Sequence, residues 1–322
     1  AEYRIDGRPL SIPACAGVTF QGEDNVGDAL RRADLALYKS KRSGRAKVTL
    51  FSSAMEDDVL RRSSIECALR DPGMERAIEV AFQPIFHLDT KRLCSFEALA
   101  RWRHSTLGWI SPAEFIPISE QLGVLDEVSK ALLRRAATAA RNWPSSVRLS
   151  FNLSAVQLCA AGCADKILAD LSDHQFDPRR LQVEVTETSL LADFNAARAN
   201  LSRLREQGVR ILLDDFGAGY SSVSYLREIR FDAVKLDGSM VALAANGGGE
   251  VSLLRGVIAL CEAIGLPCIA EQIENERQLE QLRDLGCEYG QGFRLSPPID
   301  ARAAAALASG ENSPVQPRRA AA

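Results

Sequence analysis

Histidine is scarce in this chain: 322 residues contain three, His87, His104 and His174. That speaks against a histidine-rich zinc site. The eight cysteines are Cys15, Cys67, Cys94, Cys159, Cys163, Cys261, Cys268 and Cys287, and none form a C-x-x-C pair. Most sit among apolar residues, so reduced core thiols in a cytoplasmic protein are expected. No uninterrupted apolar run is long enough to cross a bilayer. The best candidate, VIALCEAIGLPCIA (257–270), is broken by Glu262, Gly265 and Pro267, and no membrane contact is expected within this chain. No signal peptide is evident: the chain opens AEYRIDGRPL, polar and without an initiator Met, and reads as cut from something longer. The net charge of −3 gives no global reason to expect a nucleic-acid polymer as partner. A phosphate-bearing substrate stays compatible with it if cations bind locally.

What is present is ordinary for a globular protein, with 46% apolar and 25% charged residues. The length allows one large domain or two smaller ones. Residues 9–20 read as a strand, 27–42 as a helix with Leu30, Ala33 and Leu37 at helical spacing, and 47–51 as another strand. These elements are too few to close a core, so 1–52 is expected to be a truncated α/β fragment. Residues 53–78 read as a helical linker and 309–322 as a disordered tail. Between them, 79–308 carries strand-like runs near 79–86, 92–99, 147–153, 181–186, 210–214, 232–236, 266–270 and 287–293. Helix-like segments separate these from the third onward. The pattern predicts an α/β fold of TIM-like (β/α)8 type, close to the usual length of about 250 residues. Only HLDTKR (87–92) joins the first two strands, too short for a parallel crossover. The first strand should therefore run antiparallel to the second.

Residues two apart on a strand share a face. In VRLSFNLS, Arg148, Ser150 and Asn152 oppose the apolar set; in LQVEVTE, Gln182, Glu184 and Thr186 do; in DAVKLD, Lys235 and Asp237 do. CSFEAL, ILLDD and PCIAE place Glu97, Asp214–Asp215 and Glu271 at strand ends. A single acid at a strand end is usually solvated or caps a helix. Here Glu97, Asn152, Glu184, Asp214, Asp215, Asp237 and Glu271 come from six strands and all fall at the end where barrels of this type carry their sites. Asp215 must leave strand geometry to join Asp214, and the glycines that follow permit such a turn. Two like charges 4 Å apart repel by about 4 kcal/mol at an effective dielectric of 20. Either most of these acids are protonated or cations sit among them. Oxygen ligands with one amide suit Mg²⁺ or Mn²⁺. Adjacent aspartates shared between two ions would support in-line displacement at phosphorus.

The segments AFQPI (81–85), SFEALARW (95–102), EFIPISE (114–120), FNLSAVQL (151–158), VEVTET (183–188), DDFGAGYSSVSYL (214–226), VKLD (234–237), IAEQIE (269–274) and YGQGF (289–293) together resemble the EAL-domain cyclic di-GMP phosphodiesterases. The resemblance implies a barrel with an antiparallel first strand that hydrolyses cyclic di-GMP to linear pGpG at a two-metal centre. Glu97, Asn152, Glu184 and Asp214 would hold one ion. Asp214, Asp215 and Glu271 would hold the other, Glu271 acting as ligand or general base. Lys235 would contact the attacking water, and Asp237 and Gln291 would order waters. Arg101 would clamp a substrate phosphate beside Gln83 and Leu99. Glu187 would hold the 216–222 loop, with Phe216, Gly217 and Gly219, as a metal-dependent switch near a homodimer interface. ADLALYKSKRSGRAKV (33–48) resembles the end of a GGDEF diguanylate cyclase domain, but the G-G-[DE]-E-F signature is absent and no cyclase activity is expected. The parent protein is expected to be longer, with room for a membrane anchor upstream.

Four positions depart from the EAL pattern. Gln272 replaces a usual Gly, Ala218 a Thr, Gly238 an Arg and Phe82 a Tyr. None removes a ligand. The alternative reading is a weak or inactive cyclic di-GMP receptor, and a third is a barrel acting on another phosphoester. Degenerate receptors typically lose metal ligands, and this chain keeps the full set.

Overall fold

The computed structural model describes residues 2–5, 8–11, 14–20, 25–42, 47–217, 226, 228–244 and 249–310. The chain divides into two compact units, residues 1–71 and 72–322. In the first, Ala16–Val18 and Val48–Leu50 pair in parallel around the crossover helix Val26–Arg42. Gly17 lets that helix lie on the strand, because a side chain there would overlap the backbone of Ala33 and Leu37. The stretch 9–20 is not one strand. Its start joins the antiparallel pair Glu2–Ile5 and Arg8–Ser11, and its end is Ala16–Val18. Helix Ala54–Leu69 belongs to this unit: Glu56 and Asp58 ion-pair with Arg31 and Lys39 on the crossover helix at 2.9 Å each. The segment read as a tail lies outside the described residues beyond 310.

The second unit is a barrel. Its strands are β1 (Ile78–His87), β2 (Leu93–His104), β3 (Arg148–Asn152), β4 (Leu181–Thr186), β5 (Arg210–Phe216), β6 (Ala233–Leu236), β7 (Cys268–Ala270) and β8 (Tyr289–Gly290). Strands β2 to β8 run parallel in chain order. β1 closes the ring antiparallel to both neighbours, with Gln83 opposite Glu97 and His87 opposite Tyr289. The short 87–92 connection thus has the consequence expected of it. A further short strand, Gly108–Ile110, pairs antiparallel with β2.

Local sequence explains the outer helices. Pro112–Leu122 opens on a capping box: Ser111 accepts from the Ala113 amide, the Glu114 side chain accepts from the Ser111 amide, and Pro112 occupies the first turn. Leu125–Ala140 then buries Val128, Leu132, Leu133 and Ala136 at helical spacing. Outward-facing strand residues meet this layer. Phe82 and Phe96 pack against Trp143, with ring centroids 5.2 and 4.7 Å away. Phe82 therefore lies in the outer core, away from the barrel interior.

Inside the barrel the side chains form levels. Ile85, Leu212, Ala233 and Ile269 make a buried apolar cluster, with Tyr289 packed against it. Strand alternation places Glu97, Asn152, Glu184, Asp214, Lys235 and Glu271 beyond that cluster toward the C-terminal ends of the parallel strands. It places Arg148, Gln182 and Arg210 at the opposite end.

Candidate active site

Lys235 is the centre of the C-terminal level. It is 1% exposed, and its Nζ lies 2.7 Å from Glu271 Oε1, 2.8 Å from Glu184 Oε2, 3.2 Å from Asp214 Oδ1 and 3.5 Å from Glu97 Oε2. The resemblance implied a contact with the attacking water for this lysine; the structure adds ion pairs to four acids at the ends of four strands. If all are ionised, three negative charges stay uncompensated in a buried space.

The titration behaviour follows from that imbalance. Burial opposes the charge of Glu97, yet Lys235 and hydrogen bonds from Gln291 and Asn152 hold its carboxyl below the usual range. Glu184 is pushed well upward, first by burial and then by Glu97 and Asp214, against the pull of Lys235. Glu271 is pushed up to about 7, again chiefly by burial. Burial also raises Asp215, with Asp214 and Asp237 adding repulsion. Lys235 is desolvated, but its acidic partners hold its pKa well above the ordinary lysine value.

Amides tie the acids together. Asn152 Nδ2 donates to Glu97 Oε1 at 2.7 Å, and Gln291 Nε2 donates to Glu97 Oε2 at 2.6 Å and Glu271 Oε1 at 3.4 Å. Gln291 thus bonds the carboxylates directly. Buried Glu184 Oε1 and Gln291 Oε1 have no hydrogen-bond donor, and Asp214 Oδ1 has only the Lys235 ion pair. Such orphaned acceptors are costly unless a cation or water satisfies them. One oxygen each from Asp214, Asp215 and Glu271 lie within 4.8 Å of one another. This all-oxygen donor set, short of positive charge, fits hard divalent cations.

Asp215 reaches this group by a backbone device. The β5–β6 register shifts between Leu213 and Phe216, and Asp215 takes φ 54°, a left-handed value that Asp tolerates better than most residues. The turn is made by the aspartate itself, ahead of the glycines expected to supply it. Gly217 follows at φ 95°, where a side chain would strike the Met240 sulfur. Phe216 is buried; Gly219, Ala218 and the remainder of the 216–222 loop lie outside the described residues. Glu187 is the first residue of helix Glu187–Ala192, which Thr186 caps.

Asp237 accepts from the Ser239 amide at 3.0 Å. Arg101 is half-buried on the interior face of β2, with Gln83 and Leu99 also on inward positions of β1 and β2. Its Nη1 donates to the Ala100 carbonyl at 2.9 Å, and it ion-pairs with no carboxylate among the described residues.

Sequence reading missed the relation between two departures. Gln272 sits at φ 53°, which explains why glycine suits that position. A side chain on buried Gly238 would overlap the carboxamide of Gln272. The missing side chain at 238 and the added one at 272 thus compensate each other across the ends of β6 and β7. Left-handed backbone on a non-glycine residue costs on the order of 1–3 kcal/mol. Glycine's freer unfolded chain takes back about 0.4–1 kcal/mol, so, Gln272 being exposed, Gln272→Gly is expected to gain about 1 kcal/mol net and raise the melting temperature by about 2–4 °C. A fall in calorimetric Tm would show instead that packing on Gly238 outweighs the strain.

Comparison with known proteins agrees with this architecture. The family model described as EAL domain matches residues 66–298, and the chain belongs to that family. An uncharacterized signaling protein of Caulobacter vibrioides is 35% identical over 94% of this chain. The cyclic di-GMP phosphodiesterase NbdA of Pseudomonas aeruginosa is 33% identical over 92%. The chain spans 38% of the length of each. The solved structure of the PaMucR phosphodiesterase in complex with c-di-GMP superposes with a TM-score of 0.71 and 31% identity, covering 75% of this chain and 99% of that one. No helix among the described residues is long and apolar enough to cross a membrane.

Proposed function

We propose that this chain hydrolyses cyclic di-GMP to linear pGpG with two divalent cations, Mg²⁺ or Mn²⁺. The observation that carries the reading is the convergence of Glu97, Glu184, Asp214 and Glu271 on one buried lysine, with Asp215 close to Asp214 and Glu271 and with Glu184 Oε1 lacking a donor. The likeness to NbdA and to the PaMucR complex supports the choice of substrate.

Glu97, Asn152, Glu184 and Asp214 would hold one cation, and Asp214, Asp215 and Glu271 the other. Bound there, the ions would lower the pKa of water and offset charge on the phosphoryl oxygens. Arg101 binds one phosphate of the substrate through a guanidinium that no carboxylate occupies. Lys235 orients the water, fixed in place by its acidic partners, and Asp237 and Gln291 order the surrounding waters. Gln83 and Leu99 line the substrate pocket. Water oxygen bonds to phosphorus, the P–O3′ bond breaks, and the 3′ oxygen leaves as a hydroxyl, so one ring opening yields a 5′-phosphate end.

The finer organisation is part of the same proposal. Residues 1–52 correspond to the end of a GGDEF domain, joined through 53–78 to the barrel at 79–308. The Ala16–Val18/Val48–Leu50 pair with its crossover helix supports this, as does the exposure of Phe20 at 78% and Val48 at 74%, the apolar surface of an incomplete core. The barrel forms a homodimer, with Glu187 and the 216–222 loop reporting on the partner. The protein works in the cytoplasm.

Purified protein with Mg²⁺ or Mn²⁺ should convert cyclic di-GMP to pGpG, read by chromatography, and EDTA should stop the reaction. Binding without turnover in both metals would assign the receptor role instead.

A further inference from the structure

The barrel's N-terminal mouth carries the opposite charge to its acidic end. A cavity of about 90 Å³ there is lined by Arg92, Arg148, Arg210, Ser95, Gln182 and Tyr289. Its inner wall includes Ile85, Ala233 and Ile269, three of the four residues of the apolar cluster that separates it from the acids.

Arg210 is partnered, its Nη2 donating to the Asp232 carbonyl at 3.3 Å, but acidic partners at this mouth are few among the described residues. Asp232 is shared: it ion-pairs with Arg205, receives the Ile211 amide at 2.9 Å, and lies 3.8 Å from Arg210 Nε. Arg148 is half-buried, and its guanidinium has no hydrogen-bond or ion-pair partner among the described residues. Burial and the neighbouring Arg210 charge both disfavour its cation. Arg92 stands at the exposed rim and ion-pairs with no carboxylate among the described residues. The acids that act on this mouth are Asp232, already engaged, and Glu288, exposed beside Tyr289. A half-buried cation without a counter-charge in contact gains from an added anion, and guanidinium forks match tetrahedral oxyanions. The cavity holds the volume of about three waters, enough for one such group.

We propose that this mouth is an anion site taking a single phosphate group, either free phosphate or the terminal group of a phosphomonoester, with Arg148 as its principal contact. The site is independent of the phosphodiesterase reading, because the apolar cluster lies between the two ends.

The test is thermal unfolding of the full chain in EDTA at constant ionic strength, titrated separately with inorganic phosphate, 5′-GMP and chloride. EDTA withdraws cations from the acidic end, whose charge then repels phosphate. Inorganic phosphate is expected to raise Tm saturably. Arg148→Met should need roughly tenfold or more phosphate for the same rise, the size of one lost hydrogen-bonded charge contact. Its turnover of cyclic di-GMP should match wild type. A response to GMP as well extends the ligand to phosphomonoesters; a response to inorganic phosphate alone restricts it to the free ion, and both uphold the site. Should Arg148→Met not fold, Arg92→Ala at the rim is the replacement variant, with a weaker response expected. No saturable rise in wild type, an equal rise with chloride, or an unchanged titration in the variant overturns the proposal.

Discussion

Replacing Glu97 with Ala is expected to cut cyclic di-GMP turnover by roughly 10²–10³-fold or more, the size seen when one preorganised charge-stabilising group is removed from a reaction centre. Glu97 is 5% exposed, held in its ionised form, and accepts from both Asn152 and Gln291 while facing Lys235. Its loss removes one proposed ligand and releases two amides that orient the others. The metal-free fold should lose some stability too, since the low carboxyl pKa means ionised Glu97 stabilises the fold at neutral pH and its loss leaves Asn152 and Gln291 short of an acceptor, although Lys235 keeps Glu184, Asp214 and Glu271 as partners. Turnover within tenfold of wild type, measured as pGpG formed with Mg²⁺ or Mn²⁺, would show that the site does not depend on this acid.

Lys235→Met should cost more stability. Removing the lone fully buried cation among the described residues leaves four acids facing one another. Breaking a buried ion network by deleting one partner costs about 3–5 kcal/mol. For a unit of this size that corresponds to a drop of about 6–20 °C in the Tm of the metal-free protein. Mg²⁺ or Mn²⁺ should restore more stability to the variant than it adds to wild type, since the ions replace the missing charge. Turnover should stay low even in excess metal, because the group proposed to orient the water is absent. A variant melting within 2 °C of wild type in EDTA, on the scale of about 2–4 °C per kcal/mol, would contradict the charge imbalance. Rescue of Tm without rescue of turnover would separate the two roles of this lysine.

Much of the barrel was legible from two simple signals. Alternation marked the inward faces of β3, β4 and β6, and the short 87–92 link revealed the direction of β1. The same alternation also put Arg148 and Gln182 on the interior, but only the folded cavity, which they line together with Ser95 and Arg210, shows that these residues meet. β8 is shorter than its apolar run implied. After Gly290 the Gln291 amide still bonds to Ala270, but Gly292 sits at φ 155° against the Ile273 backbone, where no side chain fits, and regular pairing ends. The tie between Gly238 and Gln272 was invisible because it is a contact across two strand ends rather than a property of either position. The four partners of Lys235 depend on side-chain rotamers, which residue spacing does not encode.

The direction of β1 governs how force enters the barrel. In an all-parallel barrel the arriving polypeptide meets the floor, remote from the rim proposed to be catalytic. Here residues 72–77 lead into a strand that descends from that rim, with Glu79 opposite Arg101 and Gln83 opposite Glu97. A tug or twist on the incoming segment therefore loads the hydrogen-bonded ladder beneath those two side chains at once, with no need to traverse the fold.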